Sequence, residues 1–173
     1  MQGSRMNRTR RYQPVIAIAA LLAILSLSAT AQDGQALPAV PACLLTEAET
    51  LTLNLELADT PDQKRIGLMG RTVMAADHGM LFRYPHRRSG DAGFWMYQTL
   101  MPLDIAWLDE SGTIVALDTM VPCPETRGQR CPVYTPGVPH YQVLELNSGY
   151  FSANSVTVGD KLALVTSDQN PCQ

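Results

Sequence analysis

From Thr50 to Leu57 the chain reads Thr-Leu-Thr-Leu-Asn-Leu-Glu-Leu, with a leucine at every second position. Side chains alternate across a strand, so Leu51, Leu53, Leu55 and Leu57 share one face that needs a core to cover it. The rest of the chain carries the same signature in shorter pieces. Gly79–Tyr84 reads as a strand stopped by Pro85. Gly93–Thr99, Leu103–Leu108 and Thr113–Val121 read as a meander, turning at Leu100-Met101-Pro102 and at Asp109-Glu110-Ser111-Gly112. Tyr141–Leu146 and Lys161–Thr166 close the pattern. One helix is expected from Pro61 to about Met69. Thr60 would be its N-cap, Pro61 its first residue and Gln63 the partner of a capping box, with a stop near Gly70. The fold class that follows is mainly β: a compact small barrel or sandwich of six to seven short strands with one or two short helices.

Residues 1–31 have a different character. Residues 1–14 are polar and basic, Val15–Leu27 is apolar apart from Ser26, and Ser28-Ala29-Thr30-Ala31 supplies small residues at a cleavage position. This is the pattern of a secretory signal peptide cut after Ala31. The apolar run is short of the ~20 residues a spanning helix requires, so no stable membrane span is expected after cleavage. Arg10-Arg11 lacks the apolar follow-up of a twin-arginine signal, and Cys43 is too far from the apolar run to be a lipidation site. The Pro/Ala-rich stretch 32–48 reads as a linker or N-terminal arm, 49–168 as a single β-rich domain and 169–173 as a C-terminal tail.

Charge and cysteine content agree with export. All sixteen acidic residues and nine of the thirteen basic ones follow Ala31, leaving that part with a net charge of −7. Such a surface has the wrong sign for nucleic acid. The four cysteines also lie there, an even number suited to an oxidising compartment. Cys123 and Cys131 bracket a turn-rich stretch that a bridge would close, which leaves Cys43 and Cys172 to staple the two ends. A metal site is the rival, but no pair has C-x-x-C spacing and no histidine is close by. The expected location is the periplasm or the exterior.

No familiar catalytic motif is present: no G-x-S-x-G, no H-E-x-x-H, no phosphate loop and no G-x-G-x-x-G. Specific words stand out instead. They are Arg65-Ile66-Gly67-Leu68-Met69-Gly70-Arg71, Gly79-Met80-Leu81-Phe82, Phe94-Trp95-Met96-Tyr97-Gln98-Thr99 and Pro102-Leu103-Asp104-Ile105, followed by Val143-Leu144-Glu145, Gly149 and Gly159-Asp160. On these words, from about Leu51 to Val165, the chain resembles the bacterial and archaeal domain of unknown function 192 family. The family shows Lys-Asn where Tyr97-Gln98 stands here. The resemblance implies a compact, β-rich and often exported domain, with no established activity.

The candidate site residues come from the side chains themselves. Asp104 lies between Leu103 and Ile105, where a carboxylate is costly unless paired. Arg71 is the nearest plausible partner by type, and an Arg71–Asp104 contact within ~4 Å is expected. As a structural pair it would tie the helix end to the sheet. As a site, Arg71, Trp95, Gln98, Thr99 and Asp104 would line a polar cleft able to orient a carboxylate or phosphate. If Leu100 centres a hairpin, Asp104 shares a face with Met96 and Gln98, away from Trp95. Glu145 alternates against apolar neighbours and reads as the solvent face of a strand. Asp160 reads as a turn cap, and His78, His86 and His140 are too scattered for a metal triad. Met80, Met96 and His78 are a soft set that could take Cu(I), but methionines filling gaps in a small core need no metal. No cofactor is expected.

Three functions compete. The leading one is an exported cell-envelope module that binds an unidentified small molecule, or serves as an accessory, through the Arg71/Asp104 pocket. The second is a small acid–base hydrolase using Asp104 with His78 or Glu145, and it lacks any nucleophile–base pair at recognisable spacing. The third is a structural partner of another envelope protein, presenting the 122–139 loop, which holds five of the twelve prolines.

Overall fold

A computed structural model describes residues 36–125 and 127–173, with the backbone alone for Gln129. The segment read as an export signal lies outside the described residues. In chain order the elements are β1 (Ala39–Leu45), β2 (Thr50–Ala58), α1 (Pro61–Ile66), β3 (His78–Arg88), β4 (Phe94–Trp95), β5 (Leu103–Leu108), β6 (Ile114–Met120), β7 (Val133–Tyr134), β8 (His140–Asn147), α2 (Tyr150–Ala153) and β9 (Lys161–Leu164). Seven strands form one curled sheet in the order β6-β5-β8-β3-β2-β1-β9, and β4 with β7 forms a separate two-stranded piece. The two ends of the curled sheet meet. Leu162 donates its N–H to the Gly112 carbonyl at 2.9 Å and Ile114 donates to that of Asp160 at 2.8 Å. The domain is mainly β, a half-barrel with two short helices, as the alternation predicts.

The curl buries the leucine stripe of β2. Leu53 and Leu55 pack with Leu44, Leu81, Leu144, Leu146 and Leu162 in an interior core drawn from both halves of the sheet. The opposite face is covered too. Met80, Phe82, Leu103, Ile105, Trp107 and Val143 lie under Leu68, Met96 and Met101, which come from the connections after α1 and around β4. Strand β5 is therefore buried along its whole length, as expected of a strand covered on both faces.

Two sequence expectations change here. Residues 39–45, expected within a linker, form β1, hydrogen-bonded between β2 and β9. Its Pro/Ala content hides the period, and pairing along both edges supplies what local propensity does not. Pro41 falls just past the end of the β9 register and only accepts, from Val165 N–H at 3.0 Å, so its missing donor costs nothing. The expected hairpin between 93–99 and 103–108 does not form, because β4 pairs with β7. Residues 96–99 make a tight turn closed by Thr99 N–H to the Met96 carbonyl at 2.9 Å, with Gln98 at φ 54°. That turn sends the chain away from β4 before β5 begins.

The helix start is as expected. Thr60 caps it and Gln63 completes the capping box. It is shorter than predicted, ending at Gly67 with φ 49°, a conformation suited to glycine. Both cysteine pairs form: Cys43–Cys172 and Cys123–Cys131.

Candidate functional site

Strand register sets which carboxylates can meet. Asp104 pairs with Leu146 across β5 and β8, and Ile105 pairs with Glu145. Successive residues face opposite ways, so Asp104 points to the interior face and Glu145 to the outer one. On the outer face a single row runs Ile105, Glu145, Met80, Glu56, one residue per strand.

The expected Arg71–Asp104 pair is replaced by another. Arg71 reaches Glu56 with two parallel bonds, Nη1 to Oε1 at 2.5 Å and Nη2 to Oε2 at 2.8 Å, and both residues are buried. The connection after α1 aims the guanidinium there, since Gly70 is anchored to the Gln98 carbonyl at 2.8 Å and Arg71 to that of Leu68. Burial alone would raise the Glu56 pKa, but the Arg71 guanidinium and the Leu37 N–H outweigh it and hold the carboxyl below its usual range. Asp104 is buried with neutral partners. Its Oδ1 accepts from the Thr119 hydroxyl at 2.8 Å and its Oδ2 from the Phe151 N–H at 3.0 Å. It thereby caps the start of α2, whose own N-cap, Gly149, has no side chain to offer. The pocket reading that joined Arg71 to Asp104 is corrected accordingly, since a sheet separates them.

The remaining candidates divide between the cleft and other roles. Trp95 and Thr99 line a cleft on the outer face. Gln98 is exposed and acts through its backbone, donating to the Cys123 carbonyl at 2.9 Å and accepting from Gly70. Met80 and Met96 are buried among the apolar side chains of the outer-face core, and His78 Nδ1 lies 2.9 Å from an Asp77 carboxylate oxygen. Asp160 caps its turn as expected, accepting from Thr157 N–H at 2.7 Å.

Glu145 overturns its sequence reading. It is only 5% exposed, because the connections after α1 and around β4 roof the face that the alternation leaves to solvent. Its carboxyl opens into the cleft lined by Lys64, Gly67, Met69, Phe82, Phe94, Trp95 and Thr99. Among the described residues it makes no side-chain hydrogen bond or ion pair. Burial, with no compensating charge, pushes its pKa up to about 8. The cleft is small, about 30 Å³, room for about two waters. Phe82 and Phe94 meet edge to face at 5.2 Å in its wall, and Trp95, 46% exposed, stands at its rim.

Sequence reasoning missed Glu56 and put Glu145 on a solvent face. The signal was the near-continuous apolar run Val143-Leu144-Glu145-Leu146. In a strand covered on both faces such a run leaves no solvent side for the glutamate.

The fold and cleft define a class: a small curled β domain with a second, roofed face that holds one uncompensated carboxyl. The chain belongs to the DUF192 family, described as "Uncharacterized ACR", which matches residues 43–164. No curated protein matches it. Among solved structures it is similar to a candidate transcription regulator from Sinorhizobium meliloti, at 33% identity and a TM-score of 0.66, over 75% of this chain and 96% of that one. It is also similar to a protein of unknown function from Novosphingobium aromaticivorans, at 27% identity and a TM-score of 0.63, over 73% of this chain and 86% of that one.

Proposed function

We propose that this chain is an exported cell-envelope module that binds a small molecule in the outer-face cleft floored by Glu145 and rimmed by Trp95 and Thr99. The observation that carries the reading is the buried, unpartnered carboxyl opening onto an aromatic-lined hollow. A fold that only needed a stable core would gain from an apolar residue there. Export is supported by the N-terminal pattern and the two disulfides. No helix among the described residues is long and apolar enough to cross a membrane. The hydrolase alternative loses its pairs, since Asp104 is across the sheet from both Glu145 and His78. The regulator description of the Sinorhizobium protein is not extended to this chain, whose residues after Ala31 carry a net charge of −7.

A thermal-shift screen of metals, sugars, amino acids, amines and nucleotides tests the reading. A ligand that raises the melting temperature should lose that effect in Glu145→Gln and in Trp95→Ala. A silent screen, or a hit indifferent to both substitutions, overturns it. N-terminal sequencing of the exported protein should begin at Gln32. A partner reading is favoured by one observation, the exposure of Val133 beside Trp95. Loss of a co-purifying envelope protein on Val133→Glu would support it.

A further inference from the structure

We propose that the cleft recognises a cationic ammonium head, a primary or methylated amine, for which Glu145 is the counter-ion. The proposal rests on the cleft being the binding site and narrows it to one ligand class.

The first argument is charge. Among the described residues, the cations on the elements packed against Glu145 are engaged elsewhere, and Arg88 of β3 lies over the Tyr84 ring, 4.3 Å from its centre. Arg71 is doubly bonded to Glu56. From α1, Lys64 donates to the Asp59 carbonyl at 2.5 Å and lies 4.8 Å from the centre of the Tyr84 ring. Arg65 is held at 3.4 Å by Asp62. From β3, Met80 and Phe82 face the carboxyl, and the ionisable groups further along that strand are Tyr84, whose pKa burial raises and on which Glu145 and Arg88 act with opposite sign, and Arg88 itself. From β5 the facing residue is Ile105, and from the 94–99 segment it is Thr99. A buried carboxyl with no internal partner is the complement of an external cation.

The second argument is the wall. Phe82, Phe94 and Trp95 present aromatic surface to the same hollow. An aromatic ring attracts a cation through its quadrupole, and a ring cluster closed by a carboxylate is the usual chemistry for holding an ammonium or methylammonium. The third is size, since about 30 Å³ accepts a head group and leaves the rest of the ligand outside.

Binding then carries a proton balance. The empty site holds Glu145 as a neutral acid at neutral pH, and the ammonium arrives charged. The ion pair forms as the carboxyl O–H ionises, releasing one proton to the buffer.

Calorimetric titration of the purified protein decides the matter. Methylammonium chloride represents a free amine, and a short lysine peptide represents a protein side chain. Sodium acetate and acetamide serve as controls at constant ionic strength. Binding by either amine source supports the proposal. With a carboxyl titrating at about 8, affinity should tighten about tenfold from pH 7 to pH 9. Buffers of different ionisation enthalpy should report close to one proton released at pH 7. Glu145→Gln should abolish both effects. Trp95→Ala, at a half-exposed position, should weaken binding several-fold, and Trp95→Phe, which keeps an aromatic face, should restore most of it. Glu145-dependent binding of acetate or acetamide in place of the amines overturns the ligand class and leaves the cleft as a binding site. Amine binding indifferent to Glu145→Gln overturns the proposed counter-ion. Silence here and in the wider screen overturns both readings.

Discussion

Glu145 is a carboxyl whose charge the fold opposes, and the opposition has a pH signature. Below its ordinary value of 4.5 the folded and unfolded chains both hold the proton, and the group does not affect stability. Between 4.5 and about 8 the unfolded chain ionises while the folded one resists, so stability falls as pH rises through that window. Glu56 works the other way, since its lowered pKa gives stability that is present above 4.5 and lost as pH falls through the folded value. The wild-type melting temperature should decline from pH 5 to pH 8, and Glu145→Gln should flatten that decline. A parallel decline in the two proteins would mean that Glu145 has water or a cation beside it. Gln98 is a second residue with a cost. Its φ of 54° falls at the third position of a turn that favours Gly or Asn. The asparagine of the resembled family is thus explained by backbone shape, without any need for its amide to reach a ligand. Gln98→Gly should raise stability by about 1 kcal/mol, read from a urea midpoint at constant slope. No gain would mean the turn relaxes in solution.

At the scale of elements, local pattern and local chemistry were legible where they act locally. The Thr60–Gln63 capping box, the Asp109–Gly112 turn and strand β5 could all be read from neighbouring residues, whereas the helix stop fell at Gly67 rather than near Gly70. Strand β1 could not, because its hydrogen bonds come from β2 and β9 while its own residues favour no period. Nor could the two-residue β4, whose place is fixed by partners from beyond residue 120. Cys123 accepts from Gln98 N–H at 2.9 Å and donates to the Thr99 carbonyl at 3.1 Å, and a Cβ at Gly128 would lie 2.5 Å from the Trp95 ring. The Cys123–Cys131 bridge therefore props the cleft wall as well as closing its own loop. Replacing both cysteines with serine should cost about 2–3 kcal/mol by loop closure. Hydrogen exchange should speed up selectively at the amides of Gln98 and Cys123. Uniform loss of protection across the sheet would assign the bridge to global stability instead.

For the whole molecule, the sequence was most informative about the interior face and least about the outer one. A period-two stripe states which residues need cover, and the leucines of β2 do lie in the interior core. It says nothing of loops arriving from distant positions to roof the other side, and that is where Glu56, Arg71 and Glu145 acquire their roles. The same separation of scales governs the termini. Cys43 is fully buried in β1 and its partner Cys172 lies 129 residues on, so the bridge spans almost the entire domain. In the chain-entropy account, closing so long a loop restricts the unfolded state by about 5 kcal/mol, roughly twice the contribution of the eight-residue separation at Cys123–Cys131. Because β1 and β9 pair side by side, the staple also keeps the tail against the strand that the sheet needs to close. Cys43→Ala with Cys172→Ser should therefore lower the urea unfolding free energy by more than the loss of the short bridge does. It should also leave the outer-face cleft intact in the folded protein, so that Trp95 and Gln98 report no local change. A smaller loss than that of the short bridge would mean that the unfolded chain already holds its ends together.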